Sequence, residues 1–312
     1  MASKPPDLLA GPILPTLVRL ASPNVLGLIA QTLTIARLGG RAPDGRGHRH
    51  QRRVAGAQSA LVDTVVHPGR RQRHARGGHS SVPLKDNTIT HLAGGLARLG
   101  AFDFPFRLSA TTRTYFERMA VIEGGQSAAD MRAILKDPPD PQALARLSQN
   151  PMYNATYRTT CVATMLDAGH ATNALPQRAR ATVNCRVLPD ESIESVSKTL
   201  GTVLANDRIG VTPVGQATLS PAPPLTREIM EPAERISAQM WPGVPLVPTM
   251  LVATTDSRYM NNAGIPAYGL SGMFRDPDGG AVHGLNQRIR VKSLFDAHEF
   301  LYRVLKAYAG GQ

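Results

Sequence analysis

The 312 residues are 42% hydrophobic and 19% charged, the balance of a globular chain of about two domains, which sets aside fibrous and low-complexity classes. The formal charge of +12 would suggest nucleic acid or an anionic surface if it were spread out, but nine arginines set against only Asp44 and Asp63 crowd between Arg41 and Arg76. Cys161 and Cys185 are too few for a disulfide framework or a thiolate zinc site and read as small buried hydrophobes.

Pro12, Pro15, Arg19 and Pro23 interrupt the apolar run from Leu8 to Leu38. That excludes a membrane span and spoils a secretory leader, so a cytoplasmic location is the default. One helix is plausible over Val25–Leu38. From Gly39 to Arg76 the text turns to Gly, Arg, His and Gln, with branched apolar residues only around Leu61–Val66. Such a stretch buries too little to offset its ordering entropy. It reads either as an aberrant or partly disordered segment or as a basic arm for nucleic acid. The first is favoured because no aromatic side chains interleave with the arginines as stacking platforms. Residues 1–72 are assigned to this region.

Gly77-Gly-His79-Ser-Ser sets a histidine on a permissive turn just ahead of a helix. In that helix Ile89, Leu92, Ala93, Leu96 and Leu99 keep helical spacing, Asp86 or Asn87 can cap the start, and Gly100 ends it. Short helical pieces follow between Phe102 and Tyr157, without nameable chemistry. Two strands come next, Arg158–Asp167 and Arg178–Leu188. In the second, Ala179, Ala181, Val183, Cys185 and Val187 alternate with polar residues, which puts Arg186 on the polar face. A helix capped by Asp190 or Ser192 and a strand over Ile209–Val214 complete a strand, helix, strand, strand, helix, strand order. This is a ferredoxin-like α+β unit, expected over residues 73–216.

Ser220-Pro-Ala-Pro-Pro224 is a hinge into a second region over residues 217–312. It has a helix from Thr226 to Met240, a buried strand over Leu246–Val252, a polar turn over Thr254–Tyr259 and a short strand after Ala263. The last helix, Ser293–Tyr308, carries Leu294, His298, Leu301, Tyr302 and Leu305 on one face. Alternating strand and helix make this part an α/β layer.

Gly-Gly-His79-Ser-Ser before a helix, Asn173-Ala-Leu-Pro before a strand ending Asn184-Cys-Arg186, Thr255-Asp-Ser-Arg258, and His283-Gly before the terminal helix occur in that order. Together they resemble the zinc metallopeptidases that include aminoacylase, carnosinase and glutamate carboxypeptidase. The resemblance implies a phosphorylase/hydrolase-like α/β catalytic domain, present here only in part, and a ferredoxin-like lid that forms a homodimer. It also implies two zinc ions per active site and, as substrate, a small peptide or N-acyl amino acid cleaved beside its free carboxylate. By the same resemblance His79 would stabilise the oxyanion in the partner's site, Asn173 and Arg186 would bind the carboxylate, Thr255 and Arg258 would touch the substrate, and His283 would ligate zinc. Taken singly, each has an ordinary structural role as a turn former, a solvated arginine or a loop histidine.

One departure stands against the pattern. The family's His-x-Asp pair, bridging Asp and adjacent Glu-Glu have no counterpart in the sequence. A single histidine cannot hold a dinuclear zinc site. The expectation is therefore an N-terminally truncated or altered member with doubtful activity of its own. The alternatives are a catalytically inactive dimerising module and, behind it, a basic nucleic-acid binder.

Overall fold

The computed structural model describes residues 52–58, 60–68, 77–215, 220–253, 255–274 and 285–310. Within the arginine-rich stretch run two strands, β1 (Arg52–Gln58) and β2 (Ala60–Pro68), which corrects the expectation that this stretch cannot order. The sequence of β2, Ala-Leu-Val-Asp-Thr-Val-Val-His-Pro, is β-branched through its middle, and flanking strands satisfy its backbone on both sides. Its proline stands at the strand's end, where it costs no central ladder bond.

The chain divides into two compact units, one of which spans residues 57–222 with 250–254. It starts ahead of the expected boundary at 73 because its first strand is β2. Next come β3 (Gly78–His79), α1 (Thr88–Gly100), α2 (Ala110–Ile122), α3 (Gly125–Ile134), α4 (Pro141–Ser148) and α5 (Pro151–Tyr157). The unit continues through β4 (Thr160–Ala168), β5 (Ala174–Leu175), β6 (Ala179–Val187), α6 (Ile193–Leu204) and β7 (Ile209–Val214). The sheet order is β4-β6-β2-β7 with every neighbour antiparallel. With α1 and α6 as the two helices, this is the ferredoxin-like arrangement.

The period-two pattern of β6 places Ala179, Ala181, Val183, Cys185 and Val187 in the core, against Leu92 and Leu99 of α1 and Val196, Leu200 and Leu204 of α6. Asn87 caps α1 by accepting from the amides of Ile89 and Thr90. Asp86 instead pairs with Arg208 and His91, and these contacts hold its carboxyl below the usual range. Ser192 caps α6.

Cys161 and Cys185 are joined by a disulfide and are not separate thiols. Antiparallel register sets them directly opposite each other on β4 and β6, and a separation of 24 residues in sequence says nothing of that.

The helices α2–α5 form an insert with its own core, including Tyr115, Phe116, Met119, Met131 and Tyr157. Asp130, buried at 3% exposure, accepts two hydrogen bonds from Arg146 and one from Gln126. The guanidinium contact lowers its carboxyl pKa.

The second unit contains β1, α7 (Arg227–Met240), β8 (Leu246–Leu251), α8 (Ser257–Asn262), β9 (Gly269–Leu270) and α9 (Val291–Tyr308). Its strands lie in the order β8-β1-β9. Ile236 of α7 and Phe300 and Val304 of α9 form one core cluster with Trp241 against it. The Tyr308 hydroxyl donates to the Ile229 carbonyl, and burial pushes its pKa up to about 12. The face of α9 that meets this core carries Ser293, Ala297, Phe300 and Val304. Leu294 and Tyr302, on the stripe expected to be buried, are exposed.

Gly272 lets the segment after β9 close on α9: a Cβ there would stand 2.8 Å from the Ala297 Cα and 2.9 Å from the Phe300 Cβ. One of those neighbours is backbone and cannot turn aside. Gly272→Ala is expected to cost about 1–3 kcal/mol of stability, as other overpacked cores do, and to lower the urea midpoint. An unchanged midpoint would refute that contact.

Candidate functional site

The tip carrying His79 is built by pairing two very short strands. β3 and β5 are antiparallel, with Gly78 opposite Leu175 and His79 opposite Ala174, and the Ser80 amide donates to the Asn173 carbonyl at 2.9 Å. A Cβ on Gly77 would meet the Gln177 side chain at 3.1 Å, and one on Gly78 the Leu175 side chain at 3.3 Å, so the paired glycines permit this close approach. His79 and Asn173, 94 positions apart in sequence, therefore stand side by side, both exposed.

The imidazole has a defined orientation. The Ser81 amide reaches His79 Nδ1 at 3.2 Å and the Ser81 hydroxyl reaches the same atom at 2.7 Å. A backbone N–H can only donate, so Nδ1 is the acceptor and the proton of the neutral ring sits on Nε2. Nε2–H is then available to a group outside the tip. Ser81 is a positioning residue that motif reading overlooked, although it stands in the Gly-Gly-His-Ser-Ser run itself.

Arg186 lies at the other end of the sheet. β6 begins at Ala179, close in sequence to the tip, and Arg186 is paired with Thr160 at the start of β4 and with Leu61 near the start of β2. At roughly 3.3 Å per residue, the seven steps from Ala179 to Arg186 cover about 23 Å. Arg186 is half-buried on the face opposite the core. Among the sequence-derived residues of this unit, the structure brings His79 and Asn173 together and keeps Arg186 apart from both.

In the second unit, the turn leading into α8 is held by Thr255, whose hydroxyl lies 2.7 Å from the Ser257 hydroxyl and accepts the Ser257 amide at 3.3 Å. Arg258 stacks over the Tyr259 ring at 4.7 Å and donates to its hydroxyl at 2.8 Å. Its Nε is buried without a hydrogen-bond partner, a charged donor left for an incoming acceptor. His283 lies outside the described residues. Among the described residues no three His, Cys, Asp or Glu side chains converge as a metal site, so these residues do not by themselves fit a zinc centre. A cavity of about 420 Å³ beside β4, lined by Leu96, Phe102, Arg158 and Val162 among others, includes none of His79, Asn173, Arg186, Thr255 and Arg258.

Residues 72–209 match the peptidase dimerisation domain of the M20 peptidases. The chain is 27% identical over 235 residues to probable carboxypeptidase S-like 2 of Dictyostelium discoideum, covering 74% of this chain and 44% of that protein. It is 26% identical over 242 residues to human N-fatty-acyl-amino acid synthase/hydrolase PM20D1, covering 75% and 47%. The chain thus spans less than half the length of these curated relatives. Among solved structures, the M20 family metallo-carboxypeptidase of Sulfolobus solfataricus superposes with a TM-score of 0.53 at 15% identity, over 83% of this chain and 60% of that one. Human carnosine dipeptidase 1 superposes with a TM-score of 0.50 at 11% identity, over 83% and 57%. A ferredoxin-like unit in the segment that matches the dimerisation domain, and matched relatives and solved structures that include M20 peptidases, make residues 72–209 similar to the dimerisation domain of M20 peptidases.

Proposed function

We propose that this chain supplies the lid and part of the catalytic layer of a hydrolase that cleaves a peptide or N-acyl amide bond beside a free carboxylate. The relatives' names support this substrate class, since a carboxypeptidase substrate and an N-fatty-acyl amino acid both place an amide next to a carboxylate. The observation that carries the proposal is the tip. His79 presents Nε2–H outward with Nδ1 fixed by Ser81, the form that donates to an oxyanion as the amide carbonyl becomes tetrahedral. Asn173 beside it orients the substrate, and Arg186 binds the carboxylate by a charge-assisted contact.

A length of about 23 Å along β6 is too great for one small substrate to touch both the tip and Arg186 of one copy. His79 and Asn173 of one copy therefore serve the site that contains Arg186 of the other. In this proposal Arg258, whose Nε is buried without a hydrogen-bond partner, touches the substrate, as does Thr255, and His283 is a zinc ligand. Among the described residues no group of three His, Cys, Asp or Glu side chains converges to complete that ligand set.

Such a site needs a homodimer, and the two sheet edges differ in fitness for it. β7 carries Pro213, which cannot donate to a new strand. β4 exposes Val162, Met165 and Leu166 at 61%, 65% and 66% along an edge without proline. We assign the dimer contact to β4. Sedimentation of the whole chain should show a dimer, and Val162→Lys with Leu166→Lys should give a folded monomer. A dimer that survives both changes would move the contact elsewhere.

A further inference from the structure

We propose that the cavity between the end of α1, the loop after it and the start of β4 is a second binding site, one that takes a free α-amino acid with an apolar side chain. It shares no residue with the tip or with Arg186, and its binding does not depend on the hydrolase proposal above.

The walls combine three chemistries around about 420 Å³, within the size range of small-ligand pockets. Leu96, Phe102 and Val162 supply apolar surface, and Phe102 is set edge-on against Phe104 at 5.1 Å between ring centres. Arg158 supplies a cation. Its Nη1 donates to the Phe104 carbonyl, while the buried Nε has no hydrogen-bond partner and no acidic side chain among the described residues pairs with the guanidinium. Asp103, next in the chain to the carbonyl that Arg158 holds, supplies an anion that forms no ion pair with a described residue. Asn154 adds a buried Oδ1 that accepts no hydrogen bond. One neighbour senses both charges. Burial is the main cause that raises the Tyr157 pKa and the Ser148 hydrogen bond lowers it, but Arg158 also lowers it and Asp103 raises it. The two opposite charges thus stand near one another without contact, and the disulfide of Cys161 ties the wall beneath them to β6.

The charges choose the ligand. A simple anion such as a fatty acid would meet Asp103 as well as Arg158, and a simple cation would meet Arg158 as well as Asp103. Water alone would satisfy the polar groups but leave the apolar wall wet. An α-amino acid carries both charges on one carbon. Its carboxylate takes the unused donors of Arg158, its ammonium takes the Asp103 carboxylate and Asn154 Oδ1, and its side chain lies on Leu96, Phe102 and Val162. Cleavage of a peptide beside its free carboxylate releases a compound of this class, so in the hydrolase proposed above the site would sense product. Val162 belongs also to the edge assigned to the dimer contact, and the measurements are therefore made on the whole chain as it assembles.

The test is calorimetric titration with L-leucine and L-phenylalanine, beside glycine, N-acetyl-leucine and leucinamide, which lack the side chain, the ammonium and the carboxylate in turn. Both amino acids should bind, and each of the other three at least about ten-fold more weakly, the usual effect of losing an apolar side chain or a contact to a charged group. Gly100→Phe should abolish binding with its thermal transition unchanged, because Gly100 lines the cavity and a Cβ there meets nothing within 4 Å. Asp103→Asn, an exposed change that spares the fold, should weaken leucine about ten-fold and leave N-acetyl-leucine unaffected. Arg186→Ala should alter none of these affinities. Absence of binding at about 1 mM of either amino acid would overturn the inference, as would equal affinity for leucine and N-acetyl-leucine. Binding lost in Arg186→Ala but kept in Gly100→Phe would also overturn it, by placing the ligand in the proposed catalytic site and so supporting the hydrolase proposal instead.

Discussion

Purified alone, the chain is expected to retain no pair of zinc ions and to leave dipeptides and N-acyl amino acids intact. No histidine in it is followed two residues later by aspartate, no two glutamates are adjacent, and no three ligating side chains converge among the described residues. Loss of a general base by itself typically costs a factor of about 10² to 10⁴. Without the metals, the activated water and the Lewis acid are lost as well. In the proposed site His79, Asn173 and Arg186 would hold and polarise a substrate but offer it no nucleophile. Metal analysis beside a hydrolase assay decides the matter. Two tightly bound zinc ions per chain, with turnover abolished by chelator and by His283→Ala, would show that residues outside the described segments complete the site.

The second large effect concerns which copy each group comes from. Once a complete donor set is present, His79→Ala should lower kcat by about 10² to 10³, the usual cost of an oxyanion donor, with little change in KM. Arg186→Ala should chiefly raise KM, because it removes a contact made to the ground state as well. If the tip serves the partner's site, mixing the two impaired variants, assayed at substrate far below the raised KM, restores one intact site in each mixed dimer. Random exchange should then recover about a quarter of the original activity. Recovery of none after verified subunit exchange would place His79 and Arg186 in the same copy's site and refute the geometry proposed for the tip.

How much of this could be read from the residues varied with the range of the interactions involved. β6 was legible because one strand with one buried face writes its environment into every second residue, from Ala179 to Val187. The caps were legible to a pair of candidates each, Asp86 or Asn87 and Asp190 or Ser192, because a cap is a local matter, and the structure selects Asn87 and Ser192. β2 was not, because its short apolar run is embedded among arginines and its stability comes from neighbours on both sides, β6 and β7, that lie far along the chain. The adjacency of His79 and Asn173 depends on the register of two strands of two residues each, which no periodicity can express. On α9 the apolar spacing was real, but periodicity reports that a stripe wants cover, not which of two stripes the same unit covers. The chemistry of the tip was the reverse case, since the residue types were visible at once and their mutual placement was not.

The bond between Cys161 and Cys185 makes β4, the tip and β6 one covalent ring, closed at its base and open to attack only along its rim. In the chain-entropy account, closing a loop of that size withdraws about 3 kcal/mol of freedom from the unfolded chain. It also changes what a protease can accomplish. A cut between Gly169 and Asn173, at the exposed rim, severs the backbone without freeing either piece, because the two strands remain tied through sulfur. Under non-reducing conditions such a nicked molecule would migrate as a single species with β4 still at the sheet's edge, and only a thiol would release the fragments.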